Sequence, residues 1–169
     1  NKKIQGVINY NIIPNLQFSI FGTYQKLSSA SEENFLIAYQ NPKTGDVIHE
    51  YDNFYTGVQL SFTPHRKVFG YGVEQRYGKK LFPIYTLKYS KGVDGVLNSK
   101  FDYDKVQMML YKPVPLFGYG IFHANIEAGK VFGTAPLIAL APTPANQSYS
   151  SAPNTFALLD YYDFITDTY

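Results

Sequence analysis

The chain has 169 residues, enough for one domain, with a formal net charge of +2 that gives no footing for nucleic-acid binding. Charged residues make up only 17%, and much of the 45% hydrophobic content is Tyr (16) and Phe (13), so a highly charged soluble surface is not in view. Cysteine is absent, which excludes disulfides, thiol nucleophiles and thiolate metal sites.

In chain order, the first pattern is a two-residue alternation over residues 3–11, with Ile4, Gly6, Ile8 and Tyr10 on one side. Residues 12–15, Ile-Ile-Pro-Asn, read as a tight turn. The return strand, residues 16–27, sets Leu16, Phe18, Ile20, Gly22 and Tyr24 against Gln17, Ser19, Phe21, Thr23 and Gln25. Successive strand side chains point to opposite faces, so the hairpin has one oily and one polar face. Residues 28–50 read as a polar excursion with a short strand at 35–40 and a turn tip at 41–46. A clean strand follows at 52–62, with Phe54, Thr56, Val58, Leu60 and Phe62 on one side. Residues 65–82 are basic and read as an irregular connection. Further strands are expected at 83–90, 102–112 and 119–132, the second closed by Lys112-Pro113-Val114-Pro115. A Pro/Ala/Ser loop occupies 133–155, and residues 158–169 return to strand character.

No segment reads as a transmembrane helix, because prolines and polar residues interrupt the uncharged run 131–159. Nor does the amino terminus read as a signal peptide. The connections at 12–15 and 113–118 are short, whereas those at 28–50, 92–101 and 133–155 are long and polar. Short turns on one rim and long loops on the other describe an outer-membrane barrel. About six spanning strands are too few to close one, so the chain reads as an excerpt of a longer barrel, a single segment over 1–169.

The polar faces carry amides, hydroxyls and glycine rather than Lys and Glu, which suits a hydrated lumen better than a sandwich surface. Aromatics near strand ends (Tyr10, Tyr24, Phe54, Tyr89, Tyr103, Tyr119, Phe132) suit interfacial girdles. The expected fold is therefore all-β, part of an antiparallel transmembrane β-barrel. Its expected lipid-facing residues are Phe18, Ile20, Val58, Leu60, Tyr85, Leu87, Met108, Leu110, Phe122 and Ile126. The competing reading is a soluble β-sandwich or lipocalin-like domain binding carbohydrate or lipid through its tyrosines.

Chemistry-bearing constellations are few. His123, Asn125, Glu127 and Lys130 read as a polar lumen ladder, with Lys130 balancing Glu127; an acid–base pair of His123 and Glu127 is the bolder alternative, and it lacks a nucleophilic serine. Asp102 and Asp104 lack the Asp/Asn/Gly loop of a calcium site. His49-Glu50 lacks the second histidine of a zinc helix. Gly70-Tyr71-Gly72 and Gly118-Tyr119-Gly120 lack the remainder of a phosphate loop, and read as bends or room for an aromatic to lie flat. No catalytic residue, cofactor or metal is expected.

The runs Leu81-Phe82-Pro83-Ile84-Tyr85-Thr86-Leu87-Lys88-Tyr89-Ser90-Lys91-Gly92-Val93, Phe101-Asp102-Tyr103-Asp104-Lys105, Ala128-Gly129-Lys130-Val131-Phe132-Gly133-Thr134-Ala135-Pro136 and Tyr162-Asp163-Phe164-Ile165-Thr166-Asp167-Thr168-Tyr169 carry a resemblance. Over residues 52–169 the chain resembles uncharacterised outer-membrane proteins of Bacteroidota, which join an N-terminal carboxypeptidase-regulatory-like domain to a C-terminal barrel. That barrel is distantly similar to the bacterial surface antigen superfamily, which includes the BamA assembly factor. The superfamily's Arg-Gly-Phe/Tyr loop tip is absent from this sequence. The resemblance implies an outer-membrane location and a non-catalytic role in biogenesis, secretion, transport or scaffolding. It also implies membrane lipid or lipopolysaccharide as neighbours, and periplasmic or outer-membrane proteins as partners. The basic 65–82 connection reads first as a solvated rim connection, with docking of an acidic partner or lipid phosphates as the alternative; a biogenesis role would seat a periplasmic partner there.

Overall fold

The structure is a computed structural model and describes residues 1–28, 39–40, 45, 47–70, 74, 76–77, 81–142, 144–146, 148, 155–158 and 165–169. Six long strands form one antiparallel sheet in sequence order: β1 (Lys2–Ile13), β2 (Leu16–Ser28), β3 (Glu50–Phe62), β4 (Ile84–Gly92), β5 (Asp102–Pro115) and β6 (Ile121–Thr134). Among the described residues the sheet is open: β1 pairs only with β2 and the two outermost strands do not meet. Three backbone hydrogen bonds join the other edge of β6, at Gly129 and Val131, to Asp167 and Tyr169.

The six long strands expected are present; the first five run longer than alternation alone suggests, and β6 is shifted by two residues at the same length. β5 continues through Pro113 and Pro115 instead of closing at Lys112. Leu116 donates to Gly120 O at 2.9 Å, so backbone groups of even-numbered residues face β6 and those of the two prolines face the opposite flank. Pairing with β4 ends at Tyr111, so no partner strand waits there for the missing N–H groups. The β5–β6 hairpin therefore extends beyond the β4 pairing, with Pro113 buried and Phe117 and Tyr119 almost wholly exposed at its tip.

The connections sort onto two rims. The tight turn at Pro14-Asn15, the 63–83 connection and the 116–120 turn share one rim; the 29–49 and 93–101 connections and the chain after Thr134 share the other. In the first excursion Tyr39–Gln40 pairs with Val47–Ile48, while the expected strand residues 35–38 lie outside the described residues. In the basic connection Val68–Phe69 pairs with Arg76–Tyr77. Within the expected 133–155 loop, Leu137–Ala139 forms one short 3₁₀ turn and Ala141–Pro142 pairs with Ile165–Thr166.

Among the described residues the apolar core cluster sits at the long-loop rim, with Phe21 buried apart from it. Tyr51, Phe101, Tyr103, Val131 and Ala139 are buried together, with Leu27, Tyr55, Ala135 and Leu140 against them. The Tyr51 and Phe101 rings meet edge-on with centroids 5.1 Å apart. Tyr103, grouped with the girdle aromatics on sequence grounds, belongs to this core instead: its odd position points it to the face opposite Asp104.

Candidate functional site

Register aligns the two faces across all six strands. Ile8, Ile20, Val58, Tyr89 and Val106 share one row; Tyr10, Phe18, Leu60, Leu87, Met108 and Ala128 share the next. Call this the outer face. Eight of the ten expected lipid-facing residues (Ile20, Val58, Leu60, Tyr85, Leu87, Met108, Phe122 and Ile126) are between 38 and 58% exposed, and Phe18 and Leu110 are partly exposed. The inner face is covered only in part: Ser19, Thr23, Asn53 and Ser90 are each 5% exposed or less and lie near the buried Phe21 and Tyr103, whereas β1 and His123, Asn125 and Glu127 of β6 are exposed. A soluble sheet buries its oily side, and here that side is left open.

The outer apolar band has a charged margin toward the long-loop rim. Tyr24 donates to Asp52 at 2.9 Å and Tyr89 donates to Asp104. Lys26 pairs with Glu50, and Lys91 reaches Asp102 at 3.0 Å and Asp104 at 3.1 Å. The Lys26 contact holds the Glu50 carboxyl below the ordinary carboxylate range, and the Tyr89 hydroxyl, then Lys91, do the same for Asp104. Asp102 and Asp104 thus spend their carboxylates on one lysine.

That margin steps along the sheet. The first charged residue beyond the band is Lys130 on β6, Asp104 on β5, Lys91 on β4, Asp52 on β3 and Lys26 on β2. Lys130 lies in the row of Val106, Asp104 and Lys91 lie one row further, and Asp52 and Lys26 lie beyond Phe54 and Tyr24. The drift always runs the same way, as it does when strands tilt relative to a boundary plane.

The expected lumen ladder divides. His123, Asn125 and Glu127 do share the inner face, but Lys130 pairs with Val106 and lies on the outer one, its ammonium 5.5 Å from the Phe132 ring centroid. Three residues separate Glu127 from Lys130, an odd number of steps, and odd steps change face. His123 and Glu127 lie about 13 Å apart along the strand at roughly 3.3 Å per residue, beyond the reach of an acid–base pair. His123 instead stacks on Tyr111 and shares a 2.7 Å hydrogen bond with its hydroxyl. Other rungs of the inner ladder are Ser19 to Asn9 at 2.7 Å and Gln107 to the Tyr169 hydroxyl at 2.7 Å.

Alternation could not announce how aromatics seat on glycines of the inner face. Phe21 lies over Gly57, Tyr103 over Gly92 and Tyr169 over Gly129, each ring within 2.3–2.6 Å of where a β-carbon would stand. In each case the two residues are direct cross-strand partners. By contrast Gly118 and Gly120, expected to ease bends or to make such room, adopt positive φ in a turn.

Inner-face hollows lie between these seats. One of about 260 Å³ is lined by Gln25, Asn53, Tyr55, Lys88, Ser90, Tyr103, Lys105 and Gln107, with Ile138 and Ala139 of the post-β6 segment above. Lys105 donates to Ala139 O at 2.7 Å, so this part of the long loop folds over the inner face. A second hollow brings Gln59, Thr86, Glu127 and Tyr169 around Lys88 and Gln107. Lys79 and Lys80, in the basic connection, lie outside the described residues.

A family model described as the C-terminal domain of a family of unknown function (DUF5686) matches residues 19–169, and the chain belongs to that family. No curated protein and no solved structure matches it.

Proposed function

We propose that this domain is part of the wall of a transmembrane β-barrel in a Gram-negative outer membrane, serving biogenesis, secretion, transport or scaffolding rather than catalysis. The observation that carries the reading is the oily outer face left open along the whole sheet while the middle of the polar face is covered. In lipid that arrangement costs nothing, whereas in water the oily face would need a second layer. The band's size agrees. On β5, Asp104 and Lys112 bracket Val106, Met108 and Leu110, a span of about 26 Å along the strand at roughly 3.3 Å per residue. A barrel tilt of about 40° reduces it to ~20 Å, and the flanking charged chains reach further toward the headgroups. The stepped charged margin is what such a tilt produces.

The resemblance to Bacteroidota outer-membrane barrels, and more distantly to the surface antigen superfamily, points the same way. Lipid and lipopolysaccharide are then the neighbours of the outer face, and a periplasmic protein at the basic connection is the partner to seek. The reading is tested by fractionating a Gram-negative cell that expresses the full chain. Recovery in the outer membrane, resistant to urea and alkaline extraction, is expected. Recovery as a monodisperse soluble monomer without detergent would favour a soluble domain that binds carbohydrate or lipid at Tyr55, Tyr103 and Tyr169 instead.

A further inference from the structure

We propose that the inner face holds a binding site for a small hydroxylated anion, a sugar phosphate or sugar acid, seated between Lys88 and Lys105. Ser90 pairs with Lys105, and Lys88 stands two residues away on the same strand and face. The two lysines are thus diagonal cross-strand neighbours, with α-carbons about 7–8 Å apart. Neither has a carboxylate partner among the described residues, where all three lysine–carboxylate bridges lie on the outer face at Lys26 and Lys91. Glu127 lines adjoining hollows with each lysine but bridges to neither, so an anion seated between the two would relieve their mutual repulsion.

The surroundings form a built pocket. Both lysines line the hollow of about 260 Å³. Lys88 is steadied over the Phe21 ring, 4.8 Å from its centroid, and Lys105 by Ala139 O. An ammonium has three donors, so Lys105 keeps two for a ligand. Asn53 lines the same hollow and is 1% exposed; its amide meets the Tyr103 hydroxyl, while its Oδ1 has no hydrogen-bond partner among the described residues. A buried acceptor without a donor is costly, and a ligand hydroxyl would relieve it. Tyr55 and Tyr103 complete the lining. The volume lies below the roughly 300 Å³ where drug-sized pockets begin, which limits the ligand to about one ring with its acid group. The site depends on the inner face alone, so it stands apart from the question of what covers the outer one.

Isothermal titration of the full chain, in whichever of detergent or buffer keeps it monodisperse, would test the site with glucose 6-phosphate, glucuronate and glucose. At least one of the two anions is expected to bind, with glucose silent, and the stronger of the pair identifies the acid group. Lys88→Gln should weaken binding about tenfold, and Lys88→Gln with Lys105→Gln further. Asn53→Leu should weaken the sugar anion while leaving inorganic phosphate unchanged. Absence of heat with both anions at millimolar concentration, or equal affinity in a folded Lys88→Gln variant, would overturn the proposal.

Discussion

Phe21 and Gly57 face each other across the β2–β3 pair, and the phenyl Cζ stands 2.6 Å from where a β-carbon on Gly57 would be. The same position lies 2.2 Å from the Tyr89 carbonyl oxygen, which is backbone and cannot swing aside. Gly57→Ala should therefore destabilise the sheet by about 1–3 kcal/mol, the usual range for overpacking. Thermal melting checks this, with Gly6→Ala as the control, since nothing lies within 4 Å of its β-carbon position.

Outer and inner faces should respond oppositely to charge. If Leu60 meets hydrocarbon, Leu60→Arg should cost about 2–4 kcal/mol in a bilayer. Gln59→Arg, one residue away on the inner face, should stay within about 1 kcal/mol. Unfolding titrations in lipid vesicles would measure both. Equal costs would argue against a lipid-covered outer face.

Glu127 and Lys130 sit on opposite faces of β6, so they should be energetically independent. A double-mutant cycle with Glu127→Gln and Lys130→Gln should return a coupling within about 0.3–0.5 kcal/mol of zero. A coupling near 1 kcal/mol would restore the ladder that joins them.

The long-loop rim should be the stability centre. Phe101 is fully buried in the only core cluster found among the described residues, and Phe101→Ala should cost about 3–5 kcal/mol. Phe117→Ala, at the exposed tip of the β5–β6 hairpin, should cost little, within about 0.5 kcal/mol. Denaturant midpoints of the two variants give the comparison.

The period-two pattern made the sheet legible, because a strand that presents different media to its two faces must alternate. Phe18, Leu60 and Ile126 were assigned to one face by parity alone, and register places them together. Parity also shows why Lys130 does not belong with Glu127. What alternation could not convey is long-range. Nothing local in Phe101, Tyr103 and Ala139 signals that they meet, since segments far apart in sequence bring them together. Glycine seats were hidden for the same reason: Gly57 reads as a weak strand residue until Phe21 is known to lie opposite. The strand through Pro113 and Pro115 required knowing that β4 ends at their flank. Lys88 and Lys105 lie on different strands, and only the register makes them neighbours.

The most direct test of a lipid-covered outer face exploits the absence of cysteine. Single cysteines at 58, 59, 60, 87, 88, 108 and 126, each labelled with an environment-sensitive fluorophore, would be read in vesicles of bromine-labelled lipid. The proposed orientation predicts strong quenching at 58, 60, 87, 108 and 126 and none at 59 and 88. Labels at 58, 60 and 126 that remain unquenched, or that alternate in the opposite phase, would contradict it.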